Sequence, residues 1–300
     1  MALGHPARGH FSLLRSESFP YAVRHAHTQA GQIAFFDEGA GPPVVLVHGL
    51  GGDLTHFEHL APLLLDRFRL IGLDLPGCGC SPRPAGRLLH EQTRAVLALL
   101  DHLRIERAAL VGHSAGGLVC TRATLEEPGR VERLVLMSSA GFRGYPAWMR
   151  WLARASLRPR LLRAILPFGA VPLLDLVFHG RNEYTRKFVR DSVDQHPDHL
   201  PNMATTFHRL LPDLMVAGVV AGADRVRAPV MVIWGESDRL VPPHGVRRVL
   251  ASQPTWRLEM LPDCGHMPHI ERPDETAAAL LDFLGERAVR IVRAQQGDLR

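Results

Sequence analysis

Residues 108–117 read AALVGHSAGG. An apolar run, Ala108–Val111, meets Gly112-His113-Ser114-Ala115-Gly116-Gly117, and a helix-like stretch follows to Glu126. The pattern predicts a strand, a sharp turn and a helix. A serine in a G-x-S-x-G turn between those two elements has the context of a nucleophile elbow. Such a turn is so tight that only small residues fit beside the serine, which accounts for Gly112 and Gly116. An inert glycine turn is the plain alternative, and the flanking strand and helix speak against it.

Outward from this stretch, short apolar runs alternate with amphipathic ones. Strands are expected at Ile33–Phe36, Pro43–Val47, Arg69–Leu73, Val131–Met137, Pro229–Trp234 and Arg257–Leu261. Helices are expected at Phe57–Leu65, Leu88–Leu103, Gly245–Leu250 and Asp274–Gly285, the last continuing or fraying beyond Arg287. The run PVVLV at 43–47 is what a strand buried on both faces requires. Strands alternating with helices define an α/β fold with a mostly parallel central sheet, helices on both faces. The alternation stops after Ala140, and residues 141–225 show helical patterns only. They read as a helical cap inserted into a core of residues 26–140 and 226–300, with residues 1–25 as an N-terminal extension.

A serine hydroxyl needs a base to act as a nucleophile at neutral pH. Position selects among 17 histidines. His266 falls in the loop after the strand Arg257–Leu261, at the same sheet edge as Ser114. His269 is the rival, better suited to supporting the loop. The histidine in turn needs a carboxylate to orient it. Asp238 follows the strand Pro229–Trp234, with Glu236 and Asp263 as alternatives. The order Ser114, Asp238, His266 has gaps of 124 and 28 residues. Developing negative charge on an attacked carbonyl needs backbone N–H donors. Ala115 and Leu50 are the candidates, with Gly51 second to Leu50. A phosphate-binding glycine loop at 48–52 is disfavoured, since neither G-x-G-x-x-G nor a P-loop pattern is present.

Composition agrees with a globular enzyme. The 300 residues are 46% hydrophobic and 22% charged, with a formal net charge of +5. That excess, carried almost wholly by arginine, is too diffuse for a nucleic-acid surface. Four cysteines, at 78, 80, 120 and 264, form no metal-ligand spacing, and reduced thiols are expected. No cofactor or metal is called for. No leader-like apolar run opens the chain and no 18-residue apolar stretch occurs, so no transmembrane segment is expected and a cytoplasmic location is. His5, His10, His25 and His27 lie at irregular spacings without acidic companions, as in a flexible or edge-strand segment.

Four stretches together carry a resemblance: VLVHGLGG (45–52), DLPGCGCSPRP (74–84), GHSAGG (112–117) and the pair WGESDRLVP (234–242) with CGHMPHIERP (264–273). The chain resembles the α/β-hydrolase-fold superfamily of esterases, lipases and C–C hydrolases from about residue 30 to 285, the cap apart. The resemblance implies a Ser114–His266–Asp238 triad, an acyl-enzyme and, as substrate, a carboxylic ester with an apolar portion. C–C cleavage of a ring-cleavage-type diketone, acyl transfer or thioester hydrolysis, and ligand binding with an idle triad are the alternatives. Serine at 114 speaks against relatives with an aspartate nucleophile. Met267 stands where many ring-cleavage-product hydrolases carry Trp, Leu50 gives no support to a perhydrolase, and Cys78 stands where a large residue is common.

The pocket is expected from His48, Gly49, His113, Leu240, Val241 and Met267, closed by Trp148, Phe168 and Phe178 of the cap. Residues 146–166 place Trp148, Trp151, Leu152 and Ala155 on one helical side and Arg150, Arg154 and Arg158 on another. The expectation is that the tryptophan side packs inward and the arginines face solvent, rather than that the helix meets a lipid surface. A small apolar molecule is the expected partner, and a homodimer is allowed.

Overall fold

The computed structural model describes residues 19–156, 158–161, 176–193, 199–216 and 218–297. Eight strands form one sheet in the order β1-β2-β4-β3-β5-β6-β7-β8. They are β1 (Arg24–Thr28), β2 (Gly31–Glu38), β3 (Pro43–Val47), β4 (Arg69–Leu73), β5 (Ala108–His113), β6 (Val131–Met137), β7 (Val230–Gly235) and β8 (Arg257–Leu261). β1 and β2 pair antiparallel, and β2 runs antiparallel to β4. From β4 to β8 all neighbours are parallel.

The period-two alternation of a strand sends successive side chains to opposite faces. In β3, Val45 and Val47 join one core while Val44 and Leu46 join the other. β7 divides the same way, with Val232 and Trp234 opposite Met231 and Ile233. Both faces are therefore apolar, and each is covered. Helices α1 (Leu88–His102) and α2 (Ala115–Glu126) supply Val96, Leu100, Leu118 and Val119 to one core. Leu54 and Phe57, with Leu280 and Phe283 from the C-terminal helix, fill the other.

Between β6 and β7 the described residues hold no strand, and their helices include α3 (Ala147–Ser156), α4 (Glu183–Val193), α5 (His199–Leu214) and α6 (Gly218–Gly222), with one 3-10 turn. The chain then returns through α7 (His244–Ser252), α8 (Pro268–Glu271) and α9 (Pro273–Gly297). No helix among the described residues is long and apolar enough to cross a membrane.

Two local expectations are corrected, and one is met. Phe57–Leu65 is not one helix but follows and contains short 3-10 turns, Leu54–Phe57 and Ala61–Leu63. Asp53 caps the first by accepting the Thr55 N–H, and Pro62 stands at the start of the second. Arg24–Thr28 (RHAHT), which holds His25 and His27, is the edge strand expected there, with only Ala26 of its side chains fully buried. The extension also does not run to residue 25: β1 starts at Arg24, and the rings of Phe19 and Tyr21 pack on Phe36.

Candidate active site

The loops after β3, β5, β7 and β8 all leave the same edge of the sheet, the carboxyl ends of parallel strands. Open α/β sheets hold ligands there. Ser114 sits at the end of β5 with φ 51° and ψ −116°, a left-handed backbone that a side chain rarely adopts. The turn around it admits no extra atoms: a Cβ on Gly112 would lie 2.6 Å from the Gly116 carbonyl oxygen. A Cβ on Gly116 would run into the carbonyls of Val47 and His48. The Ser114 N–H donates to the Met137 carbonyl at 2.9 Å, tying the turn to the end of β6.

The structure brings Ser114, His266 and Asp238 into one hydrogen-bonded chain. Ser114 Oγ lies 3.0 Å from His266 Nε2, and His266 Nδ1 lies 2.8 Å from Asp238 Oδ2. With Nδ1–H donating to the carboxylate, Nε2 is free to accept the serine hydroxyl proton. The other carboxylate oxygen accepts the N–H groups of Leu240 and Val241 at 3.0 and 2.8 Å. Leu240 and Val241, expected as pocket side chains, thus hold Asp238 through their backbones. The rival acids lie elsewhere: Glu236 is exposed, and the side chain of Asp263 is 74% exposed.

His269 is fully buried, and neither of its ring nitrogens has a hydrogen-bond partner. Its ring packs 4.5 Å from that of His113 and 5.4 Å from Phe57. It supports the loop rather than reaching Ser114. His113 Nε2–H donates to the His266 carbonyl at 2.9 Å, fixing the backbone of the base from below. Burial, followed by neighbouring imidazoles, pushes both His113 and His269 well below the ordinary histidine range. His48 is no pocket wall either. Its ring is buried, Nδ1–H donates to the Gly49 carbonyl at 2.8 Å, and Nε2 accepts the Leu75 N–H at 3.0 Å. Burial lowers its pKa to about 4, so it is a neutral strut between the loops after β3 and β4.

That strut shapes the 48–52 loop. Gly49 lies against the serine, since a Cβ there would meet Ser114 Cβ at 3.1 Å and His113 Nδ1 at 2.9 Å. No turn, loop or side-chain hydrogen bond among the described residues engages the N–H of Leu50 or Ala115. Asp74, fully buried, accepts the N–H groups of Leu54 and Cys80 at 2.8 Å each and holds the segment beyond this loop.

The sequence reading also missed Glu271. Its Oε1 accepts the N–H of Gly265 at 3.0 Å and of Met267 at 3.3 Å, the two residues flanking His266. Its Oε2 accepts the His179 N–H at 2.8 Å, and its carbonyl accepts from Asn182 Nδ2 at 2.9 Å. The His266 N–H itself donates to the Val177 carbonyl at 2.7 Å. One carboxylate therefore clamps the histidine loop to the β6–β7 segment. Its only sequence signal is an acid five residues after His266, in a stretch where several acids stand together.

The expected side-chain wall divides. Phe178 and Met267 are buried and pack together with Ile270. Phe168 lies outside the described residues. Trp148 is corrected: it is 64% exposed on the outer side of α3, while Met149, Arg150, Ala153 and Ala155 are half-buried. No group of three His, Cys, Asp or Glu among the described residues could hold a metal ion.

A sequence profile of the alpha/beta hydrolase fold family matches residues 42–273. The chain belongs to that family. Among curated relatives, it is 35% identical over 278 residues to the dihydrolipoyllysine-residue acetyltransferase component of an acetoin cleaving system from Pseudomonas putida, covering 88% of this chain and 69% of that one. It is 28% identical over 269 residues to the 2-hydroxy-6-oxo-6-phenylhexa-2,4-dienoate hydrolase of Burkholderia cepacia, covering 83% and 89%. Among solved structures, a bacterial membrane phospholipase A superposes with a TM-score of 0.74 at 25% identity, over 89% of this chain and 87% of that one.

Proposed function

We propose that this alpha/beta hydrolase cleaves carboxylic esters that carry an apolar portion, through Ser114, His266 and Asp238. The observation that carries the reading is the continuous Ser114–His266–Asp238 hydrogen-bonded chain, with distances of 3.0 and 2.8 Å. Ser114 Oγ attacks the ester carbonyl while His266 Nε2 takes its proton. The negative oxygen is held by the Leu50 and Ala115 N–H groups. His266 then protonates the departing alcohol, and an acyl-enzyme remains on Ser114. Water, deprotonated by His266, releases the acid and restores the serine. Asp238 accepts the Nδ1–H and keeps it directed away from the serine. Phe178 and Met267, packed beside His266, favour an apolar acyl or alcohol group. The likeness to a phospholipase A, an ester hydrolase by name, supports ester chemistry.

C–C cleavage is the second reading, supported by the 28% identical dienoate hydrolase of Burkholderia cepacia. One experiment separates the two. Hydrolysis of p-nitrophenyl esters from acetyl to dodecanoyl is measured beside Ser114→Ala. Ester cleavage in the wild type, lost at least about a thousandfold in the variant, is expected. A folded wild type inert on every ester, yet active on a vinylogous diketone, would replace ester hydrolysis with C–C cleavage.

A further inference from the structure

Helix α3 is turned the opposite way from an ordinary surface helix. Met149, Arg150, Ala153 and Ala155 are half-buried, and the helix packs against α5. Its outward side carries Trp148, 64% exposed, and Trp151, 70% exposed. Leu161 beyond it is 48% exposed. Two large aromatic side chains one turn apart, both facing water, form a patch that solvation does not explain.

The charge along this stretch of chain is one-sided. From residue 133 to 174 the sequence holds seven arginines and no Asp, Glu or Lys. Arg154, Arg158 and Arg160 are exposed beside the patch, and no ion pair among the described residues involves them. Unpaired arginines framing exposed tryptophans fit one environment well. Indole rings settle at the boundary of headgroups and acyl chains, and guanidinium groups pair with anionic phosphates. A second copy of the chain fits poorly, because two arginine-rich stretches would meet with like charge.

We propose that the outward side of α3, with Trp148, Trp151 and the arginines that follow, docks the protein onto an anionic phospholipid bilayer. The exposed tryptophans enter the headgroup region, and Arg154, Arg158 and Arg160 supply the preference for negative lipid. This surface is independent of the chemistry at Ser114.

Binding of the full chain to vesicles tests it. One set is phosphatidylcholine alone, the other an equimolar mixture of phosphatidylcholine and phosphatidylglycerol. The protein is expected to sediment with the anionic vesicles at least roughly tenfold more strongly than with the zwitterionic ones, and salt near 0.5 M should remove most of that gap. Trp148→Ser/Trp151→Ser, which removes only outward side chains, should retain the wild-type circular dichroism spectrum and lose binding roughly tenfold. Arg154→Gln/Arg158→Gln should lose the anionic preference while keeping the weak zwitterionic binding. Failure to bind anionic vesicles, or equal binding by the tryptophan variant, overturns the proposal. A concentration-dependent dimer that the tryptophan variant abolishes, without vesicle binding, assigns the face to a second copy and overturns it too.

Discussion

Ser114 is held in a backbone conformation that its own Cβ opposes, at φ 51°. Such positions cost about 1–3 kcal/mol and persist where the surroundings over-determine them. Here the Met137 carbonyl, the Gly112 and Gly116 contacts and the start of α2 do so. Replacing the residue with glycine removes the Cβ; replacing it with alanine keeps it. Ser114→Gly should therefore be more stable than Ser114→Ala by about 1 kcal/mol in urea unfolding, although both lack the nucleophile. Equal stability would mean that the turn is unstrained. Asp238 makes a second test. In Asp238→Asn, one side-chain atom must become a donor facing either the His266 Nδ1–H or the Leu240 and Val241 amides. The imidazole then loses the tautomer that leaves Nε2 to accept. Ester turnover at pH 7 should fall roughly 10⁴-fold, with little change in KM. A loss under tenfold would deny Asp238 its orienting role.

At the scale of elements, the histidine loop and the β6–β7 helices act as one piece through Glu271. Burial raises the pKa of this carboxyl, and the His179, Gly265 and Met267 amides oppose that rise. Glu271→Gln preserves size but turns one oxygen into an NH2 group, which must face at least one backbone N–H. His266 should then be held less firmly. Turnover should fall about tenfold or more, reflecting the loss of geometry at the base, while the ester chain-length preference changes because Val177 and Phe178 shift with the loop. Unchanged kinetics would make the clamp a stability device only. These elements also show what the sequence could reveal. PVVLV at 43–47 and the strand-turn-helix at 108–126 were legible because periodicity and turn chemistry are local signals. RHAHT at 24–28 was legible only as a flexible or edge-strand segment, since edge pairing with β2 rather than burial makes it a strand. Glu271 was hidden for another reason: its bond to His179 spans 92 residues. The rotation of α3 was misread because helical spacing defines a stripe without stating which way it faces.

Across the whole molecule, the hydrogen-bonded grouping of Ser114, His266 and Asp238 was readable because chain order places each after a parallel strand, and one sheet edge collects them. Of the buried imidazoles beneath it only His269 was expected in a supporting place, and together they give the protein a pH signature. His48, His113 and His269 are neutral in the folded state, with His48 at about 4 and the other two well below the ordinary 6.5. Once unfolded, all three take up protons near pH 6.5. Their contribution is therefore fully present above pH 6.5 and is lost as pH falls toward 4, by about 1.4 kcal/mol per pH unit for each. Glu271 has the opposite sign, because a raised carboxyl binds its proton first in the folded state and offsets part of the loss near the carboxylate range. Urea unfolding should show stability falling steeply from about pH 7 to pH 5, and His269→Asn should reduce that slope by about one proton. A flat profile would mean that these rings are protonated or solvated in the native state.

The central claim, that Ser114 is a nucleophile activated by His266, is tested most directly by mass spectrometry after reaction with a fluorophosphonate. One adduct on the peptide containing Ser114 is expected, absent in Ser114→Ala and formed at least about a hundredfold more slowly in His266→Ala. A wild type that remains unlabelled while folded, or labelling that persists in Ser114→Ala, would contradict it.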